Sequence, residues 1–174
     1  MAVKIILTEP NKILRKISLP VKKVGKEEQL LMDDMLDTMY DAKGIGLAAI
    51  QIGIPKRIIV MDISKDNEKS NPMYFVNPII KNKNLSLSKY LEGCLSLPDQ
   101  FAEVDRPSTC HVEYLDYHGS KKILKADGLL ATCIQHEMDH LEGILFIDHL
   151  SKLKKSMIIK KLSKLKNKED RVVL

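Results

Sequence analysis

The residues of this chain best suited to chemistry are two histidines four positions apart, in Gln135-His136-Glu137-Met138-Asp139-His140. On a helix they share one face about 6 Å apart along the axis, close enough for both imidazoles to reach one metal ion. Glu137, after the first histidine, stands where a carboxylate can act on a metal-bound water. Far away in sequence, Glu92-Gly93-Cys94-Leu95-Ser96 offers a thiolate. Gly44-Ile45-Gly46-Leu47-Ala48-Ala49-Ile50-Gln51 offers a flexible loop that ends in an amide.

Leu129, Cys133, His136 and His140 fall at i, i+4, i+7 and i+11, so one helix face carries both histidines among apolar neighbours. Ring nitrogens placed there need partners, and metal ligation supplies them; bonding to backbone carbonyls is the competing solution. Cys133 reads as a small apolar core or pocket-wall residue. A catalytic site of this kind needs a third protein ligand and an open position. The extended motif H-E-x-x-H-x-x-G-x-x-H fits at Gly143 but meets Phe146 where its last histidine belongs. A glutamate further along is represented only by Glu169, inside the lysine-rich end. Cys94 remains, and spacing alone leaves it open between ligand and buried thiol. Gly44 to Ala49 also matches G-x-G-x-x-A, but after a helix rather than a strand, the wrong context for dinucleotide binding.

The elements that must position these groups read as α+β: antiparallel or mixed sheets around a central metal-binding helix, with an N-terminal and a C-terminal helix. Asn11 to Ile17 is a short first helix, and Glu27 to Ala42 a longer one with Leu31, Met35 and Met39 on one face and Gly44 as its cap. Arg57 to Ile63 and Tyr74 to Ile80 are strands, the second interrupted by Pro78, which predicts an edge or a strand end. Cys110 to Tyr117 and Lys121 to Lys125 form a hairpin about His118-Gly119-Ser120, and no function is assigned to Cys110, His111 or His118. Leu129 to Glu142 is the motif helix, and a last helix spans about 150–167 with Leu150, Leu153, Met157 and Leu165 as its apolar stripe.

With 174 residues and 44% hydrophobic composition, the chain suits one domain, a single metallohydrolase over 1–174 with a basic helix at 150–168 appended. No apolar run is long enough to span a bilayer. Met1 to Pro10 lacks the apolar length and small-residue cleavage site of a signal peptide, and three cysteines are no disulfide framework, so the expected location is cytoplasmic. Charge is unevenly placed: residues 1–150 hold 19 basic and 21 acidic side chains, residues 151–174 hold 9 and 2.

Taken together, GIGLAAIQ, EGCLS and QHEMDH, in this order, resemble the three signatures of the peptide deformylase family. The similarity continues through RIIVMD, NPII and ADGLLATCIQHEMDHLEG and covers essentially the whole chain. The lysine-rich C-terminal helix resembles the form common in Gram-negative bacteria. The resemblance implies removal of the formyl group from N-formylmethionyl nascent peptides. It implies Cys94, His136 and His140 as metal ligands, Glu137 as acid and base, and Gln51 with the backbone N–H of Leu95 facing the substrate carbonyl. It implies that Gly46 presents its backbone to the substrate. Gly44, with Gly46, lets the backbone approach a peptide closely, and Ile45, Leu129 and Cys133 are candidate neighbours of the methionine side chain. Phe101 stands where many members carry an arginine or a tyrosine, near the expected site entrance.

A thiolate with two imidazoles suits Zn(II), Fe(II), Co(II) or Ni(II), and the family implies Fe(II) in the cell. Two rival functions use the same residues. One is a metallopeptidase with another third ligand; the other is an RNA-docking protein with structural histidines. The basic helix also suggests docking on ribosomal RNA. No aromatic residue lies in its stripe to favour a membrane surface, and DNA is not an expected partner.

Overall fold

The computed structural model describes residues 2–65, 68–83 and 85–169. Residues 170–174, included in the basic C-terminal reading, lie outside the described residues. Five strands form one sheet in the order β1 (Gly46–Ala48), β2 (Ile58–Met61), β3 (Met73–Lys83), β6 (Thr109–Leu115), β7 (Lys121–Asp127), all paired antiparallel. Strands β4 (Leu87–Cys94) and β5 (Leu97–Pro107) make a separate hairpin. Helix α1 (Lys26–Asp41) precedes the sheet, α2 (Gly128–Leu141) follows it, and α3 (Lys152–Glu169) ends the described chain. The architecture is α+β, as the segregation of strands and helices in the sequence predicts.

Strand β2 shows why the helices sit where they do. Its run Ile-Ile-Val-Met is buried throughout, because alternate side chains face opposite sides of the sheet. Ile59 and Met61 pack with Phe75, Val112, Ala131 and Ile134, beneath α2. Ile58 and Val60 pack with Met32, Met35 and Met39 of α1. Each such side chain removed from water contributes about 1.5–3 kcal/mol. A sheet covered on both faces holds α2 rigidly, and α2 carries the histidines. A third cluster joins the hairpin residues Leu97 and Val104 to Phe146, Ile147 and Leu162.

Several sequence expectations are corrected. Asn11 to Ile17 is only a 3-10 turn, Lys12–Arg15, capped by the Asn11 side chain. Lys43, with φ of 56°, takes the left-handed position after α1 that was expected of Gly44. Gly44 instead lies close against Leu95: a Cβ there would stand 2.7 Å from Leu95 Cδ1, so that side chain would have to shift. Pro78 is in the central strand of the sheet, not at an edge. It is tolerated because the register shifts between Val76 and Ile79, and the Asn77 side chain pairs with the Val21 backbone instead. The core-facing stripe of α3 is Ile158, Ile159 and Leu162, whereas Leu153 and Met157 point outward. Strands β1, β4 and β5 carry no strong sequence signal. Among the described residues, no helix is long and apolar enough to cross a membrane.

Candidate metal centre

Helix α2 is buried from Ala131 to Glu137 and again at His140 and Leu141, with polar Thr132, Gln135, His136, Glu137 and His140 among the apolar side chains. Its two histidine rings stand 5.1 Å apart, nearly edge to face. The hairpin delivers the third group. At the end of β4 the register shifts between Gly93 and Cys94, and this irregularity sets Cys94 at the tight turn Leu95-Ser96. Cys94 Sγ lies 3.3 Å from His140 Nε2. One ligand atom from each of Cys94, His136 and His140 falls within 4.8 Å of the others. Residues separated by more than 40 positions thus converge on one point.

The surroundings of His136 fix its orientation. Its Nδ1–H donates to Glu92 Oε2 at 2.8 Å, which leaves Nε2 with its lone pair toward the centre. Arg106 grips the same carboxylate through Nε (2.6 Å) and Nη2 (3.0 Å), and donates through Nη1 to Asp139 Oδ2 at 2.8 Å. His149 Nε2 lies 2.7 Å from that same Asp139 oxygen. Burial disfavours the Glu92 charge, but the bonds from His136 and Arg106 outweigh it and hold the carboxyl at about 2. For His136, burial opposes a positive charge, while Cys94 and Glu92 outweigh it and raise its pKa. His140 is held well below the ordinary histidine range, by burial first and the His136 charge second.

These features test whether a metal ion fits. The three donors are one sulfur and two imidazole nitrogens, a set proper to borderline divalent ions. Glu92 and Cys94 stabilise positive charge at His136, whether proton or metal. Glu137 is buried beside this centre with Oε2 lacking any hydrogen-bond partner. The residues present fit a divalent metal held by Cys94, His136 and His140.

On the other side of α2, Glu137 lies against the glycine loop. A Cβ on Gly46 would collide with Glu137 Oε1 and stand 3.0 Å from Cys133 Sγ. Burial pushes the Glu137 carboxyl up to about 7, against the pull of the His136 charge. Gln51 is buried too. Its Oε1 accepts from Ala48 N–H at 2.8 Å, so the amide NH2 is turned toward Ser96 Oγ (3.1 Å) and Cys94 Sγ (3.6 Å).

A cleft of about 520 Å³ opens beside these groups, and its lining includes Gly44, Ile45, Gly46, Gln51, Cys94, Leu95, Leu129, Cys133, His136 and Glu137. Leu129 sits at its wall in the first turn of α2, half exposed rather than facing the core. Cys110 belongs to the sheet core, and His111 and His118 belong to β6 and its turn, all away from the cleft lining. The sequence reading assigned no role to Glu92, Arg106 or Asp139. Glu92 lies within a quoted motif, yet nothing in local spacing signals its contact with His136, and Arg106 has no motif at all.

A sequence model of the polypeptide deformylase family matches residues 3–156. The peptide deformylase of Pelagibacter ubique (strain HTCC1062) is 77% identical over 167 residues, 96% of this chain and 97% of that one. That of Maricaulis maris (strain MCS10) is 52% identical over 171 residues, 98% of each. Among solved structures, peptide deformylase from Ehrlichia chaffeensis superposes with a TM-score of 0.92 at 40% identity, covering 97% of this chain and 99% of that one. A structure of the Ehrlichia chaffeensis enzyme in complex with actinonin has a TM-score of 0.90 at 43% identity, covering 94% and 98%. This chain belongs to the peptide deformylase family, metal-dependent hydrolases that remove the N-terminal formyl group from newly made polypeptides.

Proposed function

We propose that Cys94, His136 and His140 hold the catalytic metal of this deformylase and that Glu137 moves the protons of the reaction. When bound, the ion supplies Lewis acidity toward water and the formyl carbonyl. Glu137 takes a proton at its unpartnered Oε2 and returns it to the leaving amine; burial keeps its affinity for that proton near neutrality. Gln51 directs its amide N–H toward the carbonyl oxygen where charge develops, its own carbonyl being tied to Ala48. The Leu95 backbone N–H acts on the same oxygen. Gly46 presents its backbone to the peptide, Gly44 lets the loop approach it closely, and Ile45, Leu129 and Cys133 border the methionine side chain. Glu92, held by Arg106, keeps His136 aimed. Fe(II) is the ion we assign, with Zn(II), Co(II) and Ni(II) as competent substitutes for this donor set. The observation that carries this reading is the convergence of one thiol and two imidazoles beside a buried, unpartnered carboxylate.

The test is metal content measured together with hydrolysis of formyl-Met-Ala-Ser and of the same peptide without its formyl group. Cys94→Ser loses metal and deformylation together, while the wild-type enzyme leaves internal peptide bonds intact. A Cys94→Ser protein with full metal and turnover would overturn the ligand set.

We further propose that the chain acts as one metallohydrolase unit over 1–174, in the cytoplasm, with the basic helix at 150–168 docking it on ribosomal RNA. Supporting this, Leu153, Met157, Lys160 and Lys164 follow at i, i+4, i+7 and i+11 and are all exposed, leaving a cationic outer face with two apolar residues. Removing 153–174 should weaken ribosome binding, with the difference shrinking as salt rises, and spare short formyl-peptide hydrolysis. Equal ribosome affinity for a folded truncation would sink the docking role.

A further inference from the structure

The glycine loop beside the cleft has little of its own to hold it. Lys43, Gly44, Ile45 and Gly46 all line the cleft. Two of the four are glycines, which give the backbone wide freedom. The strand that follows, β1, has only three residues and lies at the edge of the sheet. What closes the loop comes from Asp62, the first residue past β2. Its backbone N–H donates to the Ile45 carbonyl at 3.0 Å. Its Oδ2 accepts the Tyr40 hydroxyl at 2.6 Å. Tyr40 is in the last turn of α1, and its carbonyl accepts the Lys43 N–H at 2.9 Å, while the Gly44 N–H donates to the Met39 carbonyl at 2.9 Å. A hydrogen-bonded ring thus runs from Tyr40 through Asp62 to Ile45 and back along the chain, enclosing Lys43, Gly44 and Ile45.

The ring is anchored from outside the loop. Asp62 Oδ1 accepts from the N–H and the hydroxyl of Ser64, and Oδ2 accepts also from Ser70 Oγ (2.7 Å) and the Asn71 N–H (3.0 Å). Burial opposes the Asp62 charge, but the bonds from Ser64, Tyr40 and Ser70 outweigh it and hold the carboxyl well below the ordinary carboxylate range. Neither Tyr40 nor Asp62 lines the cleft, so any effect on the reaction passes through the loop. A loop ordered before the peptide arrives costs less entropy on binding. We infer that Tyr40 and Asp62 form a clasp of two positioning residues that holds Lys43-Gly44-Ile45 in the form that accepts the substrate peptide. This deepens the deformylase reading of the cleft and rests on it.

The experiment compares Tyr40→Phe, Asp62→Asn and Ser64→Ala with the wild type, all as zinc-loaded protein. It reads KM and kcat for formyl-Met-Ala-Ser, metal content, thermal melting, and amide exchange by NMR in the absence of substrate. Tyr40→Phe removes one bond of the ring and keeps the aromatic packing. It raises KM about fivefold and leaves kcat within about twofold and metal content unchanged. Its Lys43, Gly44 and Asp62 amides exchange faster than in the wild type. Asp62→Asn weakens the ring and its anchor together and raises KM at least as far. Ser64→Ala removes a donor from the other carboxylate oxygen, outside the ring, so it lowers the melting temperature without raising KM. Unchanged exchange at those amides in Tyr40→Phe, or a wild-type KM, overturns the clasp alone. A rise in KM as large in Ser64→Ala as in Tyr40→Phe also overturns it, since general loss of stability then accounts for both. A wild type without deformylation overturns the reading of the site and the role of the clasp with it.

Discussion

The two sides of helix α2 bury a glutamate each, and treat it in opposite ways. On the hairpin side Glu92 is surrounded by donors: His136 Nδ1 and two nitrogens of Arg106, which also reaches Asp139. On the glycine-loop side Glu137 meets Gly46 and Cys133, with one carboxylate oxygen lacking a partner. The first carboxyl stays at about 2 and the second rises to about 7, although both are almost fully buried. The difference teaches that burial alone does not decide charge; the donors present at the buried oxygen do. It also divides labour. A carboxylate that is always charged can hold a ring in place, and one poised near neutrality can exchange a proton.

The largest expected effect comes from removing the poised side. Glu137→Gln keeps shape and leaves the metal ligands intact, so metal content should hold while kcat falls by about 10²-fold or more. Loss of metal in parallel with activity would place Glu137 among the ligands and erase the contrast. Next in size is the clamped side. Arg106→Met leaves the buried Glu92 and the half-buried Asp139 without their shared cation, and should destabilise the protein by about 3–5 kcal/mol in urea unfolding. A loss below about 1 kcal/mol would mean that the network is mere decoration.

A sharper comparison uses pH and metal-free protein. The folded pKa of Glu137 lies above its ordinary 4.5, so the native state binds the extra proton. Its contribution is present below pH 4.5 and is lost as pH rises from there through about 7. Glu92 has the reverse sign: its contribution is present above 4.5 and is lost as pH falls toward about 2. Each amounts to roughly 3 kcal/mol at most. In stability measured against pH, Glu137→Gln should flatten the upper slope, whereas Glu92→Gln should flatten only the lower. Identical profiles for the two variants would contradict the opposed settings. The smallest effect is at the packing contact. Gly46→Ala drives a methyl into Glu137 and Cys133 and should cost about 1–3 kcal/mol, read as a lower melting temperature.

The loop and helix motifs were legible because their information is local. His136, Glu137 and His140 lie within one helical turn or so, and the 3.6-residue period alone brings the two rings to one face. The same period, read on α3, selected Leu153 and Met157 as core-facing. A long helix rich in lysine has more than one apolar stripe, and only its neighbours Leu97, Val104 and Phe146 decided that Ile158, Ile159 and Leu162 turn inward. Pro78 was misplaced for a related reason: its effect on a strand depends on whether a bulge and a substitute partner exist, and Asn77 and Val21 supply them from 56 positions apart.

By itself, then, the sequence determined the segregation of helices from strands, the buried run of β2, the histidine pair with its glutamate, and the family signatures that name the reaction. Tertiary structure alone decided that the end of a hairpin brings Cys94 to those histidines. It also decided that Arg106 reaches Glu92 and Asp139, and that Phe101 lies on Gly93 at the mouth of the cleft. The physical reason is range. Periodicity and capping act over a few residues and leave marks that can be read in order. Metal-ligand geometry, charge pairing and ring-on-backbone packing act through space, between segments that only strand register and core burial bring together.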